Sequence, residues 1–181
     1  MTEPITLETP RLHLRPWTLE DAPTFARLSN DTEIARNTGT FVFPQPEGWA
    51  EERLRRYADA TVQGMGYSFA VCLRDSLEVI GDCGIHLEPR HRRGELGYWC
   101  AAAFRGNGYM IEAARAVMEF GFETLGLHRV QASHFPRNPA SGRILERIGM
   151  KREGLMRGYY IKNGVPEDLI YFAALHSDFH L

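Results

Sequence analysis

The sequence predicts an α+β (mixed α/β) fold: a mixed but mostly antiparallel sheet of about seven strands flanked by about four helices. Three observations predict it. The chain has 181 residues, 44% apolar and 24% charged, the size and composition of one globular unit with its own core, so residues 1–181 read as a single domain. Short runs with strand character come in neighbouring pairs joined by brief turns, the pattern of antiparallel hairpins. One strand–helix–strand unit, 93–134, interrupts those pairs and makes the sheet mixed.

Arg11–Arg15 alternates polar and apolar residues and reads as a half-buried strand that Pro16 ends. Thr18 and Asp21 have capping-box spacing, and Leu19, Ala22, Phe25 and Leu28 follow at helical intervals. Asn37–Gly48, rich in Pro and Gly, is the loosest region and reads as a mobile loop on the substrate side. A charged helix runs from Glu47 to Thr61, and strands cover Tyr67–Leu73, Val79–Leu87 and, after the tight Arg90–Gly94 connection, Arg93–Cys100. The clearest helix is Asn107–Leu125, where Met110, Ala114, Val117, Met118, Phe122 and Leu125 make one apolar stripe and Gly126 is the stop. Arg129–His134 is a strand. Asn138 and Pro139 open a helix whose apolar face is Ile144, Leu145 and Ile148. Strands near Met150–Tyr160 and Asp168–His176 close the chain around the Asn163–Gly164 turn.

A formal charge of -2 argues against a general nucleic-acid or membrane-surface binder, which needs a basic excess. The longest apolar run, Tyr98–Phe104, is far too short to cross a bilayer. The N-terminus has no basic region followed by an apolar stretch, so a cytoplasmic location is expected. Cys72, Cys83 and Cys100 include no CxxC pair and read as reduced, mostly buried thiols. No histidine pair has metal-ligand spacing, and no metal is expected.

Chemistry concentrates in Glu95–Ala113. A strand ends near Cys100, a short loop with Arg105, Gly106 and Gly108 follows, and a helix starts at once. Glycines let the backbone approach a ligand, and the free N–H groups of a first helical turn attract a phosphate or pyrophosphate. A Walker loop needs Lys followed by Ser or Thr, which is missing; a dinucleotide fingerprint needs a third glycine where Ile111 stands. The residues alone leave open a glycine-rich turn that holds nothing.

Arg105-x-x-Gly108-x-Met110 resembles the acyl-CoA pyrophosphate loop of the GNAT superfamily of N-acetyltransferases, with Met110 where that pattern has Gly or Ala. Glu95-Leu-Gly-Tyr-Trp, Phe104-Arg-Gly-Asn-Gly-Tyr, Asn138-Pro-Ala-Ser141, Leu145-Glu-Arg-Ile-Gly-Met150 and Glu153-Gly154 fall in the family's order and spacing. Thr9–Pro16 and Gly158–Asp168 resemble the Rim-type branch, which acetylates protein N-termini.

The resemblance implies a cofactor, acetyl-CoA, between two splayed parallel strands, Glu95–Cys100 and Arg129–His134. Pantetheine would pair with the backbone of Tyr98, Trp99 and Cys100. The pyrophosphate would rest on the amides of Arg105, Gly106, Asn107, Gly108, Tyr109 and Met110. A primary amine, a protein N-terminus or a small molecule, would attack the thioester directly, so the protein supplies orientation, polarisation and proton handling. Glu95 is the candidate base; a strand Glu paired with a nearby arginine is the alternative. Leu145 stands where many members have a Tyr, so Ser141 is the candidate donor to the departing sulfur; a first-turn serine satisfying its own helix is the alternative. Asn138 resembles the Asn that bonds pantetheine amides, or is a helix cap only. His86 and His134 are secondary proton carriers or plain strand residues. The resemblance also suggests a homodimer. A non-catalytic acyl-CoA-binding module and a nucleotide-dependent enzyme are the rival readings.

Two basic clusters stand out, Arg90–Arg93 and the seven Lys/Arg against two Glu between Arg137 and Lys162. The second is a candidate for the 3′-phosphate of CoA or an acidic substrate, or a solvated face. Phe41, Phe43, Trp49, Tyr159 and Tyr160 are candidates to line the acceptor pocket, or core.

Overall fold

The computed structural model describes residues 4–179. Its strands are β1 (Leu7–Glu8), β2 (Leu12–Pro16), β3 (Gly66–Leu73), β4 (Val79–Glu88), β5 (Arg93–Cys100), β6 (Arg129–His134), β7 (Lys151–Lys162) and β8 (Val165–Leu175). They form one sheet in the order β1-β2-β3-β4-β5-β6-β8-β7. β5 and β6 run parallel, and every other neighbouring pair is antiparallel. The helices are α1 (Ala22–Ser29), α2 (Thr32–Asn37), α3 (Trp49–Val62), α4 (Tyr109–Glu119) and α5 (Pro139–Arg147).

The period-two alternation assigns side chains to two layers. Leu12, Leu14, Phe69, Val71, Ile85 and Leu96 turn to one face, where Ala114, Val117 and Met118 of α4 and Leu145 of α5 meet them. Ala70, Cys72 and Trp99 turn to the other, where α1 and α3 bring Phe25 and Leu54 against Trp17 and Phe41. The second layer is aromatic-rich: Trp17, Phe41 and Trp99 all pack around the fully buried Phe25.

The sheet has one strand more than expected, and there is one more helix. β1 is two residues long, too short to show a period. α2 is six residues long, opened by the Asp31 carboxylate accepting from the Ile34 amide at 2.8 Å, and has no room for an apolar stripe. The α4 stripe runs on past Glu119 through a wider π turn, Phe120–Thr124, that keeps Phe122 buried. β8 begins at Val165, not Asp168, because the Asn163–Gly164 turn, at φ +51° and +79°, lets pairing start at Lys162↔Val165.

The Asn37–Gly48 segment, expected to be a mobile loop, is strapped to the body of the fold at Thr38 and Thr40. Lys162 Nζ donates to the Thr38 carbonyl at 2.7 Å, and Arg53 Nη2 to the Thr40 carbonyl at 3.0 Å. Just before it, Arg137 Nη2 donates to the Arg36 carbonyl at 2.7 Å. The Tyr160 hydroxyl lies where a side chain at Gly39 would have to go.

Candidate active site

β5 and β6 pair only at Arg93↔Arg129, Gly94↔Val130 and Glu95↔Gln131. Past Glu95 they part, while β5 stays paired with β4 as far as Gly81↔Cys100. The Leu96–Cys100 edge facing β6 is therefore left without a strand partner. A cavity of about 1080 Å³ opens at this split and reaches both faces of the sheet.

On the α4 face, the glycine loop forms one wall. Gly106 and Gly108 sit at φ +83° and +77°, the left-handed region that favours glycine. Gly108 caps α4, so the Tyr109, Met110 and Ile111 amides start the helix with no intrahelical acceptor, and all three residues line the cavity. The Met110 side chain itself, which departs from the family pattern, is buried in the core.

The side chains of two loop residues brace the loop itself. The Arg105 guanidinium is a strut: Nη2 pairs with Asp31 at 3.2 Å and Nε donates to the Cys100 carbonyl at 3.0 Å. Burial would raise the Asp31 carboxyl, but the Ile34 amide and Arg105 outweigh it and hold it below its ordinary value. Asn107 does not line the cavity; its side-chain amide braces the Phe104 and Arg105 carbonyls at 3.1 and 3.2 Å.

The sequence reading missed a third brace. Arg11 Nη1 donates to the Asn107 carbonyl at 3.0 Å and Nε to Glu112 at 2.7 Å, while the guanidinium lies 4.7 Å from the Tyr109 ring centre. The only sequence signal was a charged residue opening a strand.

Glu95 is exposed at the last paired position before the split, where Gln131 Nε2 donates to it at 3.4 Å. No arginine pairs with it: Arg93 is held by Glu88 and Arg129 by Glu153. Ser141 does not spend its hydroxyl on its own helix; Oγ bonds the Tyr98 hydroxyl at 2.9 Å. Burial raises the Tyr98 phenol far above its ordinary value, keeping it neutral. Asn138 caps α5, its Oδ1 accepting from the Ser141 amide at 3.3 Å, and also lines the cavity. Leu145 is core. Cys100 lines the cavity, but burial pushes its thiol up to about 11 against the opposing Arg105 charge, so it is not a ready nucleophile.

On the opposite face the Trp99 side chain joins the aromatic layer. Asp82 lies across from it in β4, 5% exposed, accepting from Trp17 Nε1 at 2.6 Å. Burial pushes this carboxyl up to about 7, with the Trp17 bond and the Arg53 charge opposing. Sequence gave no sign of it, because a lone Asp inside an apolar strand has no motif.

His86 and His134 both line the cavity; His134 is buried, with Nδ1 on the Phe135 carbonyl at 2.9 Å. Among the described residues no His, Cys, Asp or Glu cluster could hold a metal. The basic clusters disperse. Arg93 pairs with Glu88 within its hairpin, and Arg92 Nη2 donates to the Gly126 carbonyl after α4. Of the second cluster, Arg143 and Arg147 line the cavity. Arg137 pairs with Glu167, and Lys151 with Asp178. Of the aromatic candidates, Phe41, Tyr159 and Tyr160 line the cavity while Trp49 stacks behind Phe41.

A split parallel pair beside a glycine-capped helix N-terminus, in a sheet of this order, defines an acyl-transfer fold. The model of the acetyltransferase (GNAT) domain matches residues 11–151, and the chain belongs to that family as an acetyl-CoA-dependent N-acetyltransferase. It is 38% identical over 164 residues to the uncharacterized N-acetyltransferase YoaA of Bacillus subtilis, covering 90% of this chain and 92% of the relative. It is 30% identical over 135 residues to the [ribosomal protein uS5]-alanine N-acetyltransferase of Escherichia coli, covering 74% and 69%. Among solved structures, the ribosomal-protein-S5-alanine acetyltransferase of Vibrio fischeri superposes at TM-score 0.83 with 25% identity, covering 98% of this chain and all of that one. RimJ of Mycobacterium smegmatis, solved with a CoA disulfide, shares the fold at TM-score 0.86 and 21% identity, covering 98% and 89%. No described helix is long and apolar enough to cross a membrane.

Proposed function

We propose that the split between β5 and β6 holds acetyl-CoA and that the enzyme passes the acetyl group directly to a primary amine, the α-amine of a protein N-terminus. One observation carries the reading: the unpaired β5 edge, the free amides of α4 and the exposed Glu95 all border one cavity. The cradle fits the cosubstrate, since a side chain at Gly106 would meet nothing and one at Gly108 only Arg11. The Tyr109–Ile111 amides would receive the pyrophosphate, with Arg143 and Arg147 as further cations along the groove. When bound, acetyl-CoA supplies an activated carbonyl and a thiolate leaving group.

The chain's own residues handle protons and orientation. Glu95 holds the incoming ammonium and takes its proton through water, freeing the lone pair. The C–N bond forms and the C–S bond breaks. Glu95 passes that first proton on to bulk water, so the same carboxylate can take the second proton that the new amide sheds; the sulfur gains one from the Tyr98–Ser141 hydroxyl pair, which is refilled from solvent. The pair is a different donor from Ser141 alone, since the phenol completes it. The ribosomal acceptor is favoured by the relatives that acetylate uS5 alanine. A small amine is the second reading, favoured by the strap that roofs the acceptor side.

Calorimetric titration with acetyl-CoA, against NADH and ATP as controls, tests the cofactor. Release of CoA thiol with N-terminal peptides and with polyamines tests the acceptor. Selective acetyl-CoA binding with acceptor-dependent release is the expected result; binding without release for any amine would make this a CoA-binding module.

A further inference from the structure

Behind the split lies a slot whose far end is chemically unlike its mouth. Its floor is the sheet face bearing Gly84 and Gly97, cross-strand partners with no side chains. His86 and Glu95, also partners, stand at one end of this floor; Asp82 and Trp99 stand at the other. Two residues of strand separate Gly97 from either end, about 7 Å. Phe41, Arg53 and Tyr57 lie over the floor, and all these residues line the same cavity.

Arg53 is the anomaly. It is 8% exposed, and among the described residues no carboxylate lies within ion-pair distance of it. Nη2 donates to the Thr40 carbonyl and hydroxyl at 3.0 and 2.8 Å, yet Nε is buried with no acceptor. The Trp99 indole N–H is buried without a partner as well. Rings of Phe41 and Trp49, 4.4 and 4.8 Å from the guanidinium, soften the burial but accept no hydrogen bond in the plane of the fork. Burial works against its charge, Tyr57 and Asp82 favour it and the nearby Arg56 charge opposes it, and Asp82 is already engaged by Trp17. A guanidinium cannot shed its proton to escape this cost. A buried cation with spare donors, beside a neutral phenol, is complementary to an oxyanion brought in from outside, and a carboxylate is the one that an amino acid or a peptide carries.

We infer that the acceptor carries a carboxylate on the same molecule as its amine, seated on Arg53 while the amine sits at Glu95. This rests on the acetyltransferase reading of the site. The chemistry has two sources, a free amino acid or the acidic first residue of a peptide. Burial keeps Asp82 protonated up to about neutrality, so it meets such an anion as a neutral group.

Matched acceptors test it: γ-aminobutyrate against n-butylamine, β-alanine against n-propylamine, and Asp-Ala-Ala against Asn-Ala-Ala. In at least one pair the acid is expected to have a kcat/KM about tenfold higher or more. The pair that shows it names the source. Arg53→Met should bring that ratio to about one, and Arg53→Lys should retain part of it. Reading the ratio removes any general loss of activity; if the Met variant does not fold, the Lys variant must still lower the ratio. No preference in any pair, no transfer to any acid, or a ratio untouched by both variants overturns the inference. Failure to bind acetyl-CoA would instead strike the cofactor reading on which it rests.

Discussion

Asp82 gives a test that needs no substrate. Its carboxyl ionises at about 3.8 in an unfolded chain and at about 7 when folded, because burial disfavours the anion. Between those values the folded state holds the proton more tightly, so stability falls as pH rises from about 4 and the loss is complete above about 7. Three pH units at about 1.4 kcal/mol each make the penalty about 4 kcal/mol. Asp82→Asn removes the ionisation while its side-chain oxygen still accepts from Trp17 Nε1. The variant should match the parent near pH 4 and exceed it by about 4 kcal/mol at pH 8, a rise of about 10 °C in melting temperature for a chain of this length. Urea unfolding of both proteins at pH 4, 5, 6, 7 and 8 measures the difference directly, since every other titrating group is shared. A difference that does not change with pH would refute the assignment of a buried, proton-holding carboxyl.

Three further outcomes probe the cofactor side. Arg105→Ala with Gly108→Val should abolish acetyl-CoA binding, because a β-branched residue is an outlier at φ +77° and the loop also loses its Asp31 strut; retained micromolar affinity in calorimetry would sink the loop assignment. Arg11→Ala should weaken acetyl-CoA about tenfold with kcat much less affected, since two hydrogen bonds to the loop and helix are lost while the reacting centre is untouched; a change in kcat alone contradicts a positioning role. Glu95→Gln should lower kcat by about a hundredfold or more at neutral pH with cofactor affinity near the parent's; unchanged turnover removes Glu95 as the base.

What the sequence made legible is what the backbone builds. The glycine loop, the α4 stripe and the Asn138 cap each occupy a few consecutive residues, so their spacing carries their geometry. What it hid is what distant side chains build. Tyr98 meets Ser141 across 43 positions, Arg11 meets Glu112 across 101, and Trp17 meets Asp82 across 65. No local period encodes such a meeting; it follows from strand register, which the sequence fixes only through the whole sheet. Arg105 and Asn107 show the same limit inside a motif. Their spacing marks the loop, but not that their side chains brace the Cys100, Phe104 and Arg105 carbonyls.

The two faces of the sheet therefore divide the work by kind of group. On the α4 face the acyl donor would be met mainly by main-chain amides and an unpaired strand edge, which almost any side chains can supply once the glycines set the turn. That is why a motif six residues long suffices to mark a cofactor. On the α3 face the acceptor would be met by Glu95, Asp82 and Arg53, three ionisable side chains on three different elements. Arg53 also holds the Thr40 end of the strap, so the group proposed to read the acceptor is the one that keeps the roof in place. Replacing that guanidinium would alter selectivity and closure together, and the matched-acceptor ratio separates the two because a loosened roof treats both members of a pair alike.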